Sequence, residues 1–205
     1  MKNLSVKNLL KERIKAGEAG QIYFAQDFID IANNEQVRLA LSRLTKEGFL
    51  LRLSQGIYLY PKEDSLLGKV KPSLEAIAQA IAQRDKITIK PTGAYALNRI
   101  GLSTQVPMKV VYLTNGESRK IKVGKNIITF KNTTSKKMAY KGEISPLIIL
   151  ALEEIGPSGV TEVIMKYITQ MLKKEDFNIL LDNLKLAPRW IADLLLPLLN
   201  PSRNV

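Results

Sequence analysis

An α+β fold in two domains is predicted by three observations. Residues 24–60 carry helix, turn, helix and hairpin signals in that order. Residues 87–130 alternate short β-type runs with turn residues, and from Pro146 onward the apolar residues recur at helical spacing. The expected domains are residues 1–66 and residues 72–205, the second holding a small, mostly antiparallel sheet and a helical end.

The elements follow in order. Leu4, Leu9, Leu10, Arg13 and Ile14 suggest a leading helix from Ser5 to Ala16, closed at Gly17 where a C-terminal cap glycine is expected. Phe24, Phe28 and Ile31 mark a short helix, and Asn33-Asn34 supplies a turn with capping side chains. Val37, Leu41 and Leu44, at i, i+4 and i+7, predict another helix that stops at Gly48. Phe49, Leu51 and Leu53 alternate into a turn at Ser54-Gln55-Gly56, and Ile57-Tyr58-Leu59-Tyr60 returns before Pro61. Helices and a hairpin in this order are the parts of a winged helix-turn-helix, which places one helix in a DNA groove and a hairpin beside it. The stretch Pro61 to Ser65, with Gly68 and Pro72, is polar and breaker-rich and is expected to link the domains.

The second domain opens with Pro72-Ser73 and the helical stripe Leu74, Ile77, Ala78 and Ile81. Ile87-Thr88-Ile89 reads as a strand, Ala94 to Ile100 as a helix and Met108 to Thr114 as a strand. Asn115-Gly116 is the strongest short hairpin signal in the chain and is expected to turn that strand into Arg119 to Val123. Gly124-Lys125 and a strand from Ile127 to Phe130 follow. Leu147 to Ile155, the stripe from Val160 to Met171, Phe177 to Leu184, and Pro188 with Trp190, Ile191, Leu194 and Leu195 predict the helical end.

Composition narrows the chemistry. The 205 residues carry a net charge of +12, which attracts phosphate-rich surfaces. The charge is uneven. Residues 1–72 hold twelve Lys/Arg against eight Asp/Glu, residues 73–142 thirteen against three, and residues 143–205 six against eight. The absence of cysteine removes disulfides, thiolate zinc sites and thiol nucleophiles. The absence of histidine removes Ser-His-Asp and Cys-His triads and the commonest general base. No Asp/Glu cluster has metal-ligand spacing, since Glu153 and Glu154 are adjacent and diverge on a helix. Thr92-Gly93 lacks a GxxxxGK[ST] frame and reads as a helix cap. No catalytic residue, cofactor or metal is expected, and the chain does not read as an enzyme. The charged start after Met-Lys-Asn reads as no secretory signal, and the apolar run Leu194 to Leu199 is short and broken by Pro197, so a soluble cytoplasmic protein is expected.

Two basic surfaces are candidates. With Val37, Ala40, Leu41 and Leu44 turned to the core, the second helix of the motif displays Gln36, Arg38, Ser42, Arg43 and Lys46, side chains that read purine edges or hold phosphates. Arg52 and Gln55 belong to the hairpin tip, where an arginine can enter a minor groove. The bland alternative is a solvated polar face for the helix and a solubilising arginine for the strand. Tyr58 and Tyr60 read as packing residues rather than base-stacking ones. In the second domain, alternation puts Lys120 and Lys122 on one strand face, and Lys125, Lys131, Lys136, Lys137 and Lys141 follow with no acid before Glu143. That run suits nucleic acid or an acidic partner; a solvated strand face is the ordinary meaning of alternating lysine.

Residues Asp27-Phe28 through Arg43-Leu44, Gly48, Arg52-Leu53, Gly56-Ile57-Tyr58 and Pro61 resemble the N-terminal winged-helix domain of AbiEi-type antitoxins. Pro91-Thr92-Gly93-Ala94-Tyr95-Ala96-Leu97-Asn98, Gly101-Leu102-Ser103-Thr104-Gln105-Val106-Pro107 and Val111-Tyr112-Leu113-Thr114 are similar to the second domain of that family. The resemblance spans nearly the whole chain. It implies a type IV toxin–antitoxin system of phage defence. The antitoxin of such a system represses its own operon by binding inverted-repeat promoter DNA. It also counters a nucleotidyltransferase-like toxin without a stable complex. Under that implication Gln36, Arg38, Ser42, Arg43, Lys46, Arg52 and Gln55 contact operator DNA, and Lys120, Lys122 and Lys125 add backbone contacts. The alternative from the residues is a protein-interaction module that neutralises a partner by docking, with little DNA binding.

Overall fold

The computed structural model describes residues 5–66, 68–105 and 107–199. Leu4 of the predicted leading stripe, the Met-Lys-Asn start and Val106 of the second motif lie outside them. The fold is α+β, as predicted. It divides into two compact units, one of residues 1–81 with 122–125 and one of residues 82–121 with 126–205.

The first unit begins with α1 (Val6–Lys15), whose N-cap Ser5 accepts from the Asn8 amide and whose Leu10 and Ile14 are buried. A two-residue strand, β1 (Ile22–Tyr23), follows. The segment predicted as a short helix around Phe24, Phe28 and Ile31 forms only one 3-10 turn, Ala25–Phe28. The Asp27 carboxylate accepts from the Phe24 amide at 2.7 Å and closes the turn locally. A run this short gains too few i→i+4 bonds to offset helix nucleation. Then come α2 (Asn34–Lys46), β2 (Leu51–Ser54) and β3 (Ile57–Leu59). β3 is central, antiparallel to β1 and to β2, giving the order β1-β3-β2. Leu10, Ile14, Phe28, Val37, Leu41, Leu44 and Leu50 form the core beneath the helices. Helix, strand, turn, helix and hairpin in this arrangement fit the predicted winged helix-turn-helix.

The expected linker is not irregular. β4 (Lys62–Asp64) and β5 (Gly68–Val70) pair as an antiparallel hairpin, and Lys69 Nζ donates to the Gly48 carbonyl at 2.6 Å. α3 (Leu74–Asp85) starts where Ser73 Oγ accepts from the Ala76 amide, and the division between the units falls within it.

Next come β6 (Ile89–Thr92), α4 (Ala94–Arg99), β7 (Lys109–Thr114), β8 (Arg119–Val123) and β9 (Asn126–Asn132), the strands building a sheet ordered β6-β7-β9-β8. The predicted Asn115-Gly116 hairpin does not form. β7 pairs with β9, in parallel, placing Tyr112 opposite Phe130, and only its β6 edge is antiparallel. A type I′ turn needs positive φ at both central residues, and neither Asn115 nor Gly116 has it. Asn115 Oδ1 instead accepts from the Thr88 amide at 2.9 Å, and Asn132 Nδ2 donates to the Gly116 carbonyl at 2.9 Å, tying the turn to two other segments. Gly116 is required by closeness: a Cβ there would stand 2.7 Å from Ile87 Cγ2. The tight turn lies one strand later, at Gly124, whose φ of 59° suits the first central position of a type II′ turn.

The helical end comprises α5 (Ser135–Met138), α6 (Ile144–Ile155), α7 (Glu162–Leu172), α8 (Phe177–Leu186) and α9 (Arg189–Leu199). α6 is the hub, with Ile148, Ile149, Ala151 and Leu152 packed among Ile168, Leu180, Leu184, Ile191 and Leu195. One buried polar side chain locks this packing. Asn183, 1 % exposed, accepts from the Lys141 amide at 2.8 Å and donates to the Lys141 carbonyl at 2.6 Å and to Ser145 Oγ at 2.7 Å. Asn183→Leu strands those groups and is expected to cost about 2–4 kcal/mol in denaturant unfolding. Ser145→Ala, which removes one hydroxyl, should cost less than half as much. Among the described residues no helix is long and apolar enough to cross a membrane.

Candidate nucleic-acid interface

α2 forms where it does because both ends are capped. Asn33 Oδ1 accepts from the Gln36 amide at 3.0 Å, Glu35 lies in the first turn, and Arg43 and Lys46 lie in the last, each sign complementing the helix dipole. Its stripe of Val37, Ala40, Leu41 and Leu44 is buried. The opposite face carries Gln36, Arg38, Arg43 and Lys46 exposed, with Ser42 half-buried.

Charge pairing separates this face from most of α1. Three of the four α1 cations are matched by acids, Lys7 to Glu47 at 2.6 Å, Arg13 to Asp30 at 2.6 Å and Lys15 to Glu12 at 3.2 Å, and the fourth, Lys11, lies over the Phe49 ring at 5.3 Å. The Arg13 guanidinium and the Lys7 ammonium hold the Asp30 and Glu47 carboxyls below their ordinary range. Among the described residues, Arg38, Arg43 and Lys46 form no ion pair. They keep their full donor capacity toward solvent or a ligand.

In the hairpin, Arg52 stands opposite Tyr58, is exposed, and donates from Nε to the Ser54 carbonyl at 3.4 Å. Gln55 is exposed at the turn. Tyr58 is part of the core, and Tyr60 packs on Phe49 with ring centroids 5.1 Å apart, so both tyrosines are packing residues.

Lys120 and Lys122 are exposed on β8, and Lys125 is exposed in the turn after it. Lys122 and Lys125 fall in the same compact unit as α2, and Lys120 falls in the other. The basic run is thinner than its sequence suggests. Lys137 is ion-paired with Glu153, and Arg119 is paired with Asp85 while lying over the Phe130 ring at 5.3 Å. The Arg84 and Arg119 guanidiniums together hold the Asp85 carboxyl below its ordinary range. Lys90 donates to the Tyr140 carbonyl at 2.5 Å, and burial lowers its pKa. Burial, then Glu153, pushes the Tyr140 hydroxyl up to about 12.

Two further features lay outside the predicted set. Leu39 is exposed on the outward face of α2, and so is Glu35. Spacing carried the signal for Leu39, because it lies off the 37/40/41/44 stripe. In the helical end, an open groove of about 710 Å³ runs between Val160, Met165, Trp190 and Leu194, with Glu162 and Lys166 also lining it. Among the described residues no group of three or more Asp/Glu side chains could hold a metal ion.

A family model described as a family of unknown function (DUF6088) matches residues 9–180. No curated protein matches the chain.

Proposed function

We propose that the chain, which belongs to this family of unknown function, binds duplex DNA through α2 and the β2–β3 hairpin. In this reading it represses its own operon at inverted repeats and serves as the antitoxin of a type IV system. The observation that carries the DNA reading is the outward face of α2. Three cations there lack acid partners among the described residues, whereas three of the four on α1 are ion-paired. Gln36, Arg38, Ser42, Arg43 and Lys46 would meet the major groove and its phosphates. Arg52 and Gln55 form the wing contact, and Lys120, Lys122 and Lys125 add backbone contacts.

The antitoxin role is supported by the resemblance to AbiEi-type antitoxins over both domains. On that reading the protein is cytoplasmic, is not an enzyme, and opposes a nucleotidyltransferase-like toxin without binding it stably. The test of DNA binding is retention of the duplex upstream of the gene as salt is raised. With about six phosphates neutralised, log K is expected to fall with log[salt] at a slope of roughly −5. No retention at low salt overturns the reading. Rescue of growth on co-expression with the neighbouring gene's product tests the antitoxin half, and unrelieved toxicity overturns it.

A second reading, docking of a protein partner, is favoured by the groove between Val160 and Trp190. Co-purification with the neighbouring gene's product, coupled to no DNA retention, would select it.

A further inference from the structure

Leu39 is 52 % exposed near the middle of the α2 face that turns away from the core. Glu35 precedes it by one turn on the same face, and Ser42, Arg43 and Lys46 follow within two turns. Glu35 is also exposed and forms no ion pair among the described residues. Neither residue suits a surface built for phosphate alone, because leucine has no donor and a carboxylate repels the backbone.

Both suit one kind of base edge. The thymine C5 methyl is the apolar group of the major groove, and the cytosine N4 amino group is a donor that a carboxylate accepts from. We infer that Glu35 and Leu39 read a pyrimidine step: Leu39 packs on a thymine methyl and Glu35 accepts from the amino group of a nearby cytosine. Four residues of α-helix rise about 6 Å. Base pairs are spaced about 3.4 Å along the duplex, so the two bases are neighbours or one position apart. Arg43 and Lys46, one to three turns beyond, then reach phosphates and set the register. The inference rests on the reading of α2 as the DNA-contacting helix.

The test uses the full chain and a pool of duplexes with a randomised centre, selected for retention at low salt and sequenced. The expected consensus holds a thymine with a cytosine within two positions. Replacing that thymine by deoxyuracil removes only the methyl and should weaken wild-type binding about fourfold, the effect of withdrawing one buried methyl group. Leu39→Ala should bind both duplexes alike, and Glu35→Ala, which removes the acceptor, should lose the cytosine preference. Thermal unfolding of both variants within a few degrees of the wild type, expected for exposed positions of which Glu35 also loses a helix-dipole contact, separates these effects from misfolding. Suppose duplexes are enriched, yet deoxyuracil has no effect at any thymine or Glu35→Ala keeps the cytosine. The pyrimidine inference is then overturned while DNA binding stands. If no duplex is enriched, DNA binding itself falls and this inference falls with it.

Discussion

Replacing Arg38, Arg43 and Lys46 together by alanine is expected to weaken duplex binding by roughly two to three orders of magnitude at fixed salt. The side chains are on the outward face of α2 and lack acid partners among the described residues, so their removal leaves no carboxylate stranded. Thermal unfolding should therefore shift by only a few degrees, the loss of two cations from the last turn of α2 being partly offset by alanine's helix propensity. The salt dependence should become shallower by roughly two to three in slope, since each lost phosphate contact removes about 0.9. Lys15→Ala is the matched control. That cation is already paired with Glu12 on α1, and its loss should leave affinity nearly unchanged. Equal affinity and slope for the triple variant and the wild type would remove α2 as the contacting helix.

Phe28→Ala is expected to destabilise the first unit by about 3–5 kcal/mol, the range for emptying a buried aromatic site. Phe28 is 1 % exposed and stacks on Tyr23 with ring centroids 5.7 Å apart. It packs in the cluster that holds Leu10, Ile14, Val37, Leu41 and Leu44. The 3-10 turn that carries it has few backbone bonds of its own, and this buried side chain anchors it to the core. A fall of about 15 °C or more in the unfolding midpoint of that unit should follow. Phe28→Leu, which keeps most of the volume, should cost less than about 1.5 kcal/mol. A small loss in the alanine variant would show that the turn is held by other contacts.

These two expectations differ in how visible they were before folding. The cations of α2 are legible because helical spacing alone puts them opposite Val37, Leu41 and Leu44. Leu39 is legible by the same spacing once an exposed apolar residue is treated as informative. The role of Phe28 is only half legible. Its burial follows from its apolar character, but whether residues 24–31 form an α-helix or a 3-10 turn depends on local bonds such as Asp27 to the Phe24 amide. The strand β1 is not legible because two residues carry no periodicity, and it exists through its pairing with β3. The β4–β5 hairpin was hidden by its polarity, since all its strand residues are exposed and have no alternation to read.

By itself the sequence determined the longer helices and the β2–β3 hairpin, where the α2 helix begins and ends, and which chemistries lack their residues. Those properties depend on neighbours within about one turn of chain, where spacing, caps and residue type act directly. Only the tertiary structure decided that β7 lies beside β9 rather than β8. That choice turns on the backbone angles at Asn115 and Gly116 and on bonds reaching Thr88 and Asn132. It likewise decided which cations stay free. Lys137 meets Glu153 and Arg13 meets Asp30 across 16 and 17 positions of sequence, a separation at which only packing brings charges together.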